Sequence, residues 1–464
     1  MTLLERAHPD IERRTGWWRH LVPTPAAAVI ALFVCVVAPA VLVALQIDAN
    51  PKFSPVDEPA HYDYVNRVAQ GEVPRQGERM LKTTLRDVAC TGNAIASIRA
   101  PRCSTPVLVP TQFDGDAYQY EALHPPTYYA VTVPLRWGME HVVGVNGRFD
   151  STRAAGIVWL VAGLLLLWAA GRVMDIDPLG LGVVLLLLVT APSVIFFHAT
   201  VTTDATAVAA AGAVALAAAL AYRRERGAPW LLVAAGVFAA ACKVTNMFAV
   251  VTVAAAFAVA AIAARAPAVR WTATLRRWTR DGGALLAGGV VTSVAWLLIH
   301  NAIAIVSLRD EPSLENLRYG SKAFGGVLTV ATTFLHPITD ELAVNLVSAP
   351  TLGQDAEQPL HAALAFLLIG GGLAGLFVAP RRWPHVVGLL SVPALYLGGV
   401  VLGLGFMIGF DTNAGEGVSG RYGMSLAPLL LLALAASLRG RWALGAVGFI
   451  ALASFVVTFV VMVT

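Results

Sequence analysis

Asp57 and Glu58 stand side by side in Pro-Val-Asp-Glu-Pro-Ala-His-Tyr-Asp-Tyr, bracketed by Pro55 and Pro59. The prolines hold the backbone out of helix ahead of a helical run over 60–70, so the two carboxylates mark a helix start. A carboxylate fixed there can accept a proton as general base or bind a cation. It can equally be the acidic cap that helix N-termini favour. Asp204 poses the same choice, because it follows Ala-Thr-Val-Thr-Thr and heads an otherwise apolar helix. Lys243 lies in Ala-Ala-Ala-Cys-Lys-Val-Thr-Asn-Met-Phe, between two apolar segments. A lysine at membrane depth costs about 2.5–3.5 kcal/mol, so it needs an anionic partner or a watery cavity, unless it snorkels to the interface. Arg421 is set in Gly-Val-Ser-Gly-Arg-Tyr-Gly. Flanking glycines let a backbone approach a ligand closely, and guanidinium suits two-pronged phosphate recognition, although arginines also anchor span ends. His124 opens His-Pro-Pro-Thr-Tyr-Tyr and could donate to a phosphate or a sugar, or simply satisfy a loop.

The elements that must position these residues are membrane helices. The chain of 464 residues is 57% hydrophobic and only 13% charged, against roughly 25% charged in a soluble domain. Its polar residues are gathered into a few loops, and between them run apolar stretches of about 20 residues, enough to cross the hydrocarbon core. The expected fold is therefore an all-α polytopic membrane protein with about 11 transmembrane helices. These lie near 26–46, 151–172, 179–198, 204–222, 229–242, 245–264, 282–306, 359–379, 385–409, 422–438 and 442–463. The first follows an N-terminus bearing Arg6, Arg13, Arg14 and Arg19 and is longer than a cleaved signal's core, so it reads as a signal-anchor. The net charge of +4 is arginine at membrane edges. No basic cluster interleaved with exposed aromatics points to nucleic acid.

Lysine and arginine in short loops orient the spans. With the N-terminus cytoplasmic, Arg223, Arg224 and Arg226, then Arg265, Arg270, Arg276, Arg277 and Arg280, then Arg381 and Arg382, then Arg439 and Arg441 all fall inside. Two long segments, 47–150 and 307–358, then lie outside. Reading Pro125–Val145 as a further span would reverse every later loop, so this aromatic-rich piece is expected to lie along the outer leaflet as an interfacial helix. Cys90 and Cys103 share the first outer loop, where oxidising conditions allow a disulfide, while Cys35 and Cys242 read as small buried apolar residues. The same topology carries Asp57, Glu58, Asp204, Lys243 and Arg421 to one outer face. Carboxylates and cations gathered at a membrane surface suit an anionic lipid headgroup.

An ordered set of motifs then resembles the GT-C superfamily of polyprenyl-phosphate-sugar-dependent glycosyltransferases. The motifs are Asp57-Glu58-Pro-Ala-His61 with Gly71-Glu-Val-Pro74, His124-Pro-Pro-Thr-Tyr128-Tyr129, Asp204, Lys243 and Gly420-Arg421-Tyr422. The closest likeness is to an uncharacterised bacterial multi-pass branch. The resemblance implies inverting transfer of a sugar from a polyprenyl phosphate to an envelope glycan or lipid acceptor at the plasma membrane. It implies catalytic roles for Asp57, Glu58 and Asp204, and substrate binding by His61, His124, Tyr128, Lys243, Arg421 and Tyr422. It also implies a divalent metal, Mg or Mn, held by Asp57 and Asp204. A transporter or flippase of lipid-linked sugars, or an envelope assembly scaffold, would use the same architecture otherwise. Broken helices near the midplane would mark a transporter.

Overall fold

The computed structural model describes residues 24–55, 57–94, 100–225, 227–263, 271–307, 324–339, 354–377, 383–409 and 419–463. The N-terminal arginines, Arg226, Arg265, Arg270, Arg381 and Arg382, and most of 307–358 lie outside the described residues. Sixteen helices are numbered here. They are α1 Pro25–Ala49, α2 Glu58–Val68, α3 Lys82–Thr91, α4 Thr127–Gly138, α5 Arg148–Val173, α6 Pro178–Val189, α7 Pro192–His198, α8 Ala207–Tyr222, α9 Ala228–Cys242, α10 Met247–Ala263, α11 Trp271–Ile303, α12 Phe324–Thr333, α13 Gln354–Leu373, α14 Trp383–Gly409, α15 Ala427–Ser437 and α16 Arg441–Val463. No strand forms among the described residues, only the isolated bridges Phe53–Asn93 and Arg79–Tyr118.

Among the described residues, eight helices are long and apolar enough to cross a membrane. The protein is thus an all-α, multi-pass membrane protein. Two shorter apolar helices, Ala228–Cys242 and Ala362–Leu373, and the pair α6–α7 occupy the remaining apolar stretches. The stretch at 179–198 is not one straight helix. It breaks after Val189 and bends by 66°. Pro192 brings no N–H to continue the ladder, and the Thr190 hydroxyl donates back to the Leu186 and Leu187 carbonyls (3.1 and 3.2 Å) while accepting from Ser454 at 2.9 Å. A second difference lies before the 282–306 stretch. Helix α11 starts at Trp271, so Arg276, Arg277 and Arg280 sit on its first turns rather than in a loop. Arg280 donates to Asp281 at 2.8 Å, and Arg277 approaches the same buried carboxylate at 3.5 Å, so the charges stabilise each other on the helix.

The bundle is drawn tight by small residues. Helices α5 and α8 meet where a Cβ at Gly163 would stand 2.7 Å from the Ala209 nitrogen, and one at Gly212 would stand 2.8 Å from the Gly163 carbonyl. Such backbone-to-backbone approach is how membrane helices gain packing without a hydrophobic drive between them. Gly212→Val should therefore cost at least about 3 kcal/mol, the upper end of overpacking, because the obstacle is backbone that cannot move aside. A normal thermal midpoint of that variant in detergent would contradict this close packing.

The described residues of 50–150 form a layer at one end of the bundle, around Phe53, Tyr62, Tyr64, Leu85, Tyr128 and Tyr129, and this core continues into the bundle through Trp159, Val201, Ala205 and Cys242. A disulfide joins Cys90 and Cys103, tying the end of α3 to the following loop. Cys35 and Cys242 are free and buried. Helix α4, with 12 residues, is short for a membrane span of about 20. One side of it packs on α5, where the Trp159 indole donates to Thr132 at 3.2 Å. Its other side and the π-turn that follows expose Val131, Trp137, Val142 and Val143, an apolar edge suited to a lipid surface.

Candidate functional site

Four charges from four distant parts of the chain meet in one network. Lys243 Nζ lies 2.5 Å from Asp204 Oδ1, Arg421 Nε lies 3.5 Å from Asp204 Oδ2, and Arg421 Nη2 donates to Asp57 Oδ2 at 3.1 Å. Lys243, Asp204 and Arg421 are buried, whereas 34% of the Asp57 side chain is exposed. The network thus has one open side, at Asp57. Tyr422 closes another side. Its ring lies 4.8 Å from the Lys243 ammonium and 5.2 Å from the Arg421 guanidinium, within cation–π range.

Local structure explains how each member is aimed. Asp57 is the residue before α2, yet its side chain makes no capping hydrogen bond. It sits at φ 58°, ψ 0°, a left-handed conformation unusual for a side-chain-bearing residue. That backbone turns the carboxylate away from the helix and toward Arg421, with Tyr120 donating to its other oxygen at 3.2 Å. Asp204 is not a cap either. The Thr202 hydroxyl accepts from the Asp204 N–H at 3.3 Å and performs that task, and it also lies 3.3 Å from Oδ2, so the carboxylate faces Thr202 and the two cations. Lys243 is the first non-helical residue after α9, in extended conformation (φ −161°, ψ 135°), so its side chain reaches inward from a break between two apolar helices. Asn246 spans that break by donating to Thr206 at 3.0 Å and Ala239 at 3.3 Å. The glycines around Arg421 serve packing. A Cβ at Gly420 would meet the Thr333 carbonyl at 2.6 Å, so this glycine lets the 419–426 segment lie against the end of α12.

Glu58 is placed differently from its neighbour. It is fully buried and its oxygens accept from Arg153 Nε (2.7 Å) and Nη2 (2.6 Å) and from the backbone N–H groups of Ser54 (2.7 Å) and Val201 (2.8 Å). Arg153 also donates to the Asn50 and Lys52 carbonyls. With both oxygens committed to these donors, Glu58 joins α5, the layer built by 50–150 and the 199–203 turn. Tyr128 is likewise behind the site. Its hydroxyl accepts from the Thr202 N–H at 3.2 Å, and its ring is buried near Tyr129 and Trp159.

His61 and His124 lie beside the network. His61 Nε2 is 3.4 Å from both Thr202 Oγ1 and Glu121 Oε2, and His124 Nε2 is 2.9 Å from the same Glu121 oxygen. Burial pushes the His61 imidazole down to about 3, against the pull of Glu121, so it is neutral at physiological pH. Asp57 is shifted upward, first by its desolvated surroundings and next by Glu121, with Arg421 opposing.

A divalent metal does not fit between Asp57 and Asp204. Both oxygens of Asp204 face cations, and Arg421 stands between the two carboxylates. A dication there would face a guanidinium and an ammonium at close range. Four contributors went unmarked in the sequence reading: Arg153, Tyr120, Glu121 and Thr202. Arg153 had a signal, an arginine one turn into an apolar helix, which requires a partner. Glu121 had another, its Glu-x-x-His spacing to His124.

The fold and this buried charge network define a multi-pass membrane protein with a polar site at one end of its helix bundle. No protein-family model and no curated protein matches the chain, so the chemistry of the site carries the functional argument.

Proposed function

We propose that the chain is a GT-C-type glycosyltransferase that moves a sugar from a polyprenyl phosphate to an envelope glycan or lipid, with inversion. In this reading all eleven apolar stretches cross the bacterial plasma membrane, the N-terminus is cytoplasmic, and the site opens on the extracytoplasmic face. The observation that supports it most is the Asp57–Arg421–Asp204–Lys243 network at the bundle's end. Two carboxylates and two cations balance one another there. An incoming lipid phosphate would compete with the carboxylates for Arg421 and Lys243. As the sugar–phosphate bond breaks, charge builds on the phosphate oxygen, where two buried, fixed cations would stabilise it strongly. Asp57, released from Arg421 and open to solvent, is then the base that takes the proton of the attacking acceptor hydroxyl. Asp204 holds the two cations in register.

The test is transfer of label from polyprenyl-phosphate sugars to envelope acceptors by the purified chain. Lys243→Gln and Arg421→Gln should each weaken donor binding by about 10–100-fold, the worth of a charge-assisted hydrogen bond of about 1.5–3 kcal/mol. Affinity unchanged in both variants would remove the phosphate from this pocket.

The 66° bend between α6 and α7 favours one second reading, a flippase of lipid-linked sugars, since broken helices are the usual mark of transporters. Movement of labelled lipid across vesicles without any transferred product would select it.

A further inference from the structure

We propose that His61, Glu121 and His124 form a binding site for a divalent transition-metal ion of the zinc class. One ligand atom from each residue lies within 4.8 Å of the other two. The two imidazole Nε2 atoms converge on a single oxygen, Glu121 Oε2, at 3.4 and 2.9 Å. Donor atoms bound at about 2.0–2.2 Å to a tetrahedral zinc stand roughly 3.3–3.6 Å apart, so a small relaxation would seat the ion. The two rings are near parallel, 17° between planes with centroids 5.8 Å apart, so their nitrogens present to one point from neighbouring levels.

The backbone builds this arrangement from two pieces. Glu121 and His124 belong to a 3₁₀ turn over Tyr120–Leu123 and the residue that ends it. Side chains three apart eclipse in that geometry, so the Glu-x-x-His pair projects from one side. His61 comes from α2. Gln119 fastens the two pieces together by donating from Nε2 to the Ala60 carbonyl (2.7 Å) and Asp63 (2.9 Å), while its Oε1 accepts the Glu121 N–H at 3.1 Å. Each histidine is also held from behind. The Tyr129 hydroxyl lies 2.8 Å from His61 Nδ1, and Tyr64 donates to the His124 carbonyl at 3.1 Å. A partner at Nδ1 fixes the ring so that Nε2 faces the ion, the usual outer-shell arrangement of metal-bound histidine.

Two imidazoles and one carboxylate select among ions. Magnesium and calcium prefer oxygen donors throughout, whereas zinc and cobalt accept mixed nitrogen and oxygen. Three protein ligands leave a fourth position vacant for water or a substrate oxygen. That position has a way out, because 15% of the His124 side chain is exposed. The proposal stands on this geometry alone and does not rest on sugar transfer.

The experiment uses the full-length chain with a histidine-free tag, stripped by chelator and titrated with Co²⁺ and Zn²⁺ in the absence of any donor lipid. Expected are one Co²⁺ per chain with visible d–d absorption, displacement by Zn²⁺ but not by Mg²⁺, and a rise in Tm with Zn²⁺. His124→Gln and Glu121→Gln should each lower Zn²⁺ affinity by at least about 100-fold, more than the 10–100-fold typical of losing an outer-shell partner. His141→Gln, at an exposed histidine of the same layer, should leave it unchanged. Absence of both Co²⁺ bands and the Zn²⁺-dependent Tm rise in the unaltered chain would overturn the site, whether or not the variants fold. So would unchanged affinity in both ligand variants.

Discussion

Asp57→Asn should reduce sugar transfer by about 10²–10⁴-fold, the usual worth of a positioned general base, with donor binding largely kept. The substitution preserves size and removes the charge, the basicity and one of the two oxygens that accept from Arg421 and Tyr120. It also leaves the fold's main supports in place, because the Asp57 side chain caps nothing and keeps an open face. Loss of kcat with little change in donor affinity is the signature of a group that acts on the acceptor's proton. In the unaltered chain the same carboxylate sets an acid limb. A base works deprotonated, and this carboxyl is shifted upward by desolvation and by Glu121. The rate should therefore fall, as pH drops, at a pH above that of an ordinary aspartate, and this limb should vanish in the residual activity of Asp57→Asn. Normal turnover by Asp57→Asn would remove Asp57 from the chemistry.

Glu58→Gln, one residue away, should act on stability instead. It leaves Arg153, 1% exposed and two-pronged on Glu58, without its anion. Breaking a buried pair from one side typically costs 3–5 kcal/mol, so a loss of about that size is expected in unfolding from detergent. Arg153→Gln should cost a similar amount. Replacing both partners with apolar residues should recover only part of the loss, since the buried Val201 N–H would then lose its Glu58 acceptor. A Glu58→Gln protein of normal stability but lost turnover would reverse the assignment of the two neighbouring acids.

Neighbouring acids with opposite duties mark the boundary of what the residues reveal by themselves. Apolar runs of span length announce the helices, and arginine placement gathers Asp57, Asp204, Lys243 and Arg421 at one end of the bundle. Those are one-dimensional properties. The choice between cap and chemistry at Asp57 and Asp204 depends on a left-handed residue and on the Thr202 hydroxyl, and local composition encodes neither. The partner of Glu58 lies 95 positions away on another helix. Thr190 and Pro192 did carry the warning of a break in the 179–198 stretch, but its unbroken hydrophobicity masked it. The early start of α11 was hidden for the opposite reason. Arginines read as loop residues until Asp281 shows how a helix can carry them.

The exposed apolar edge of α4 is tied to the segment that carries Tyr120. Residues 120–124 run directly into α4 through Pro125 and Pro126, with no slack between. A change in how deeply Trp137 and Val142 sink would swing the helix about that proline pair and shift the Tyr120 hydroxyl against Asp57. With α4 resting on a lipid surface, lipid thickness and headgroup packing would act on the charge network, and a short-chain detergent should then change turnover without touching any residue of the site.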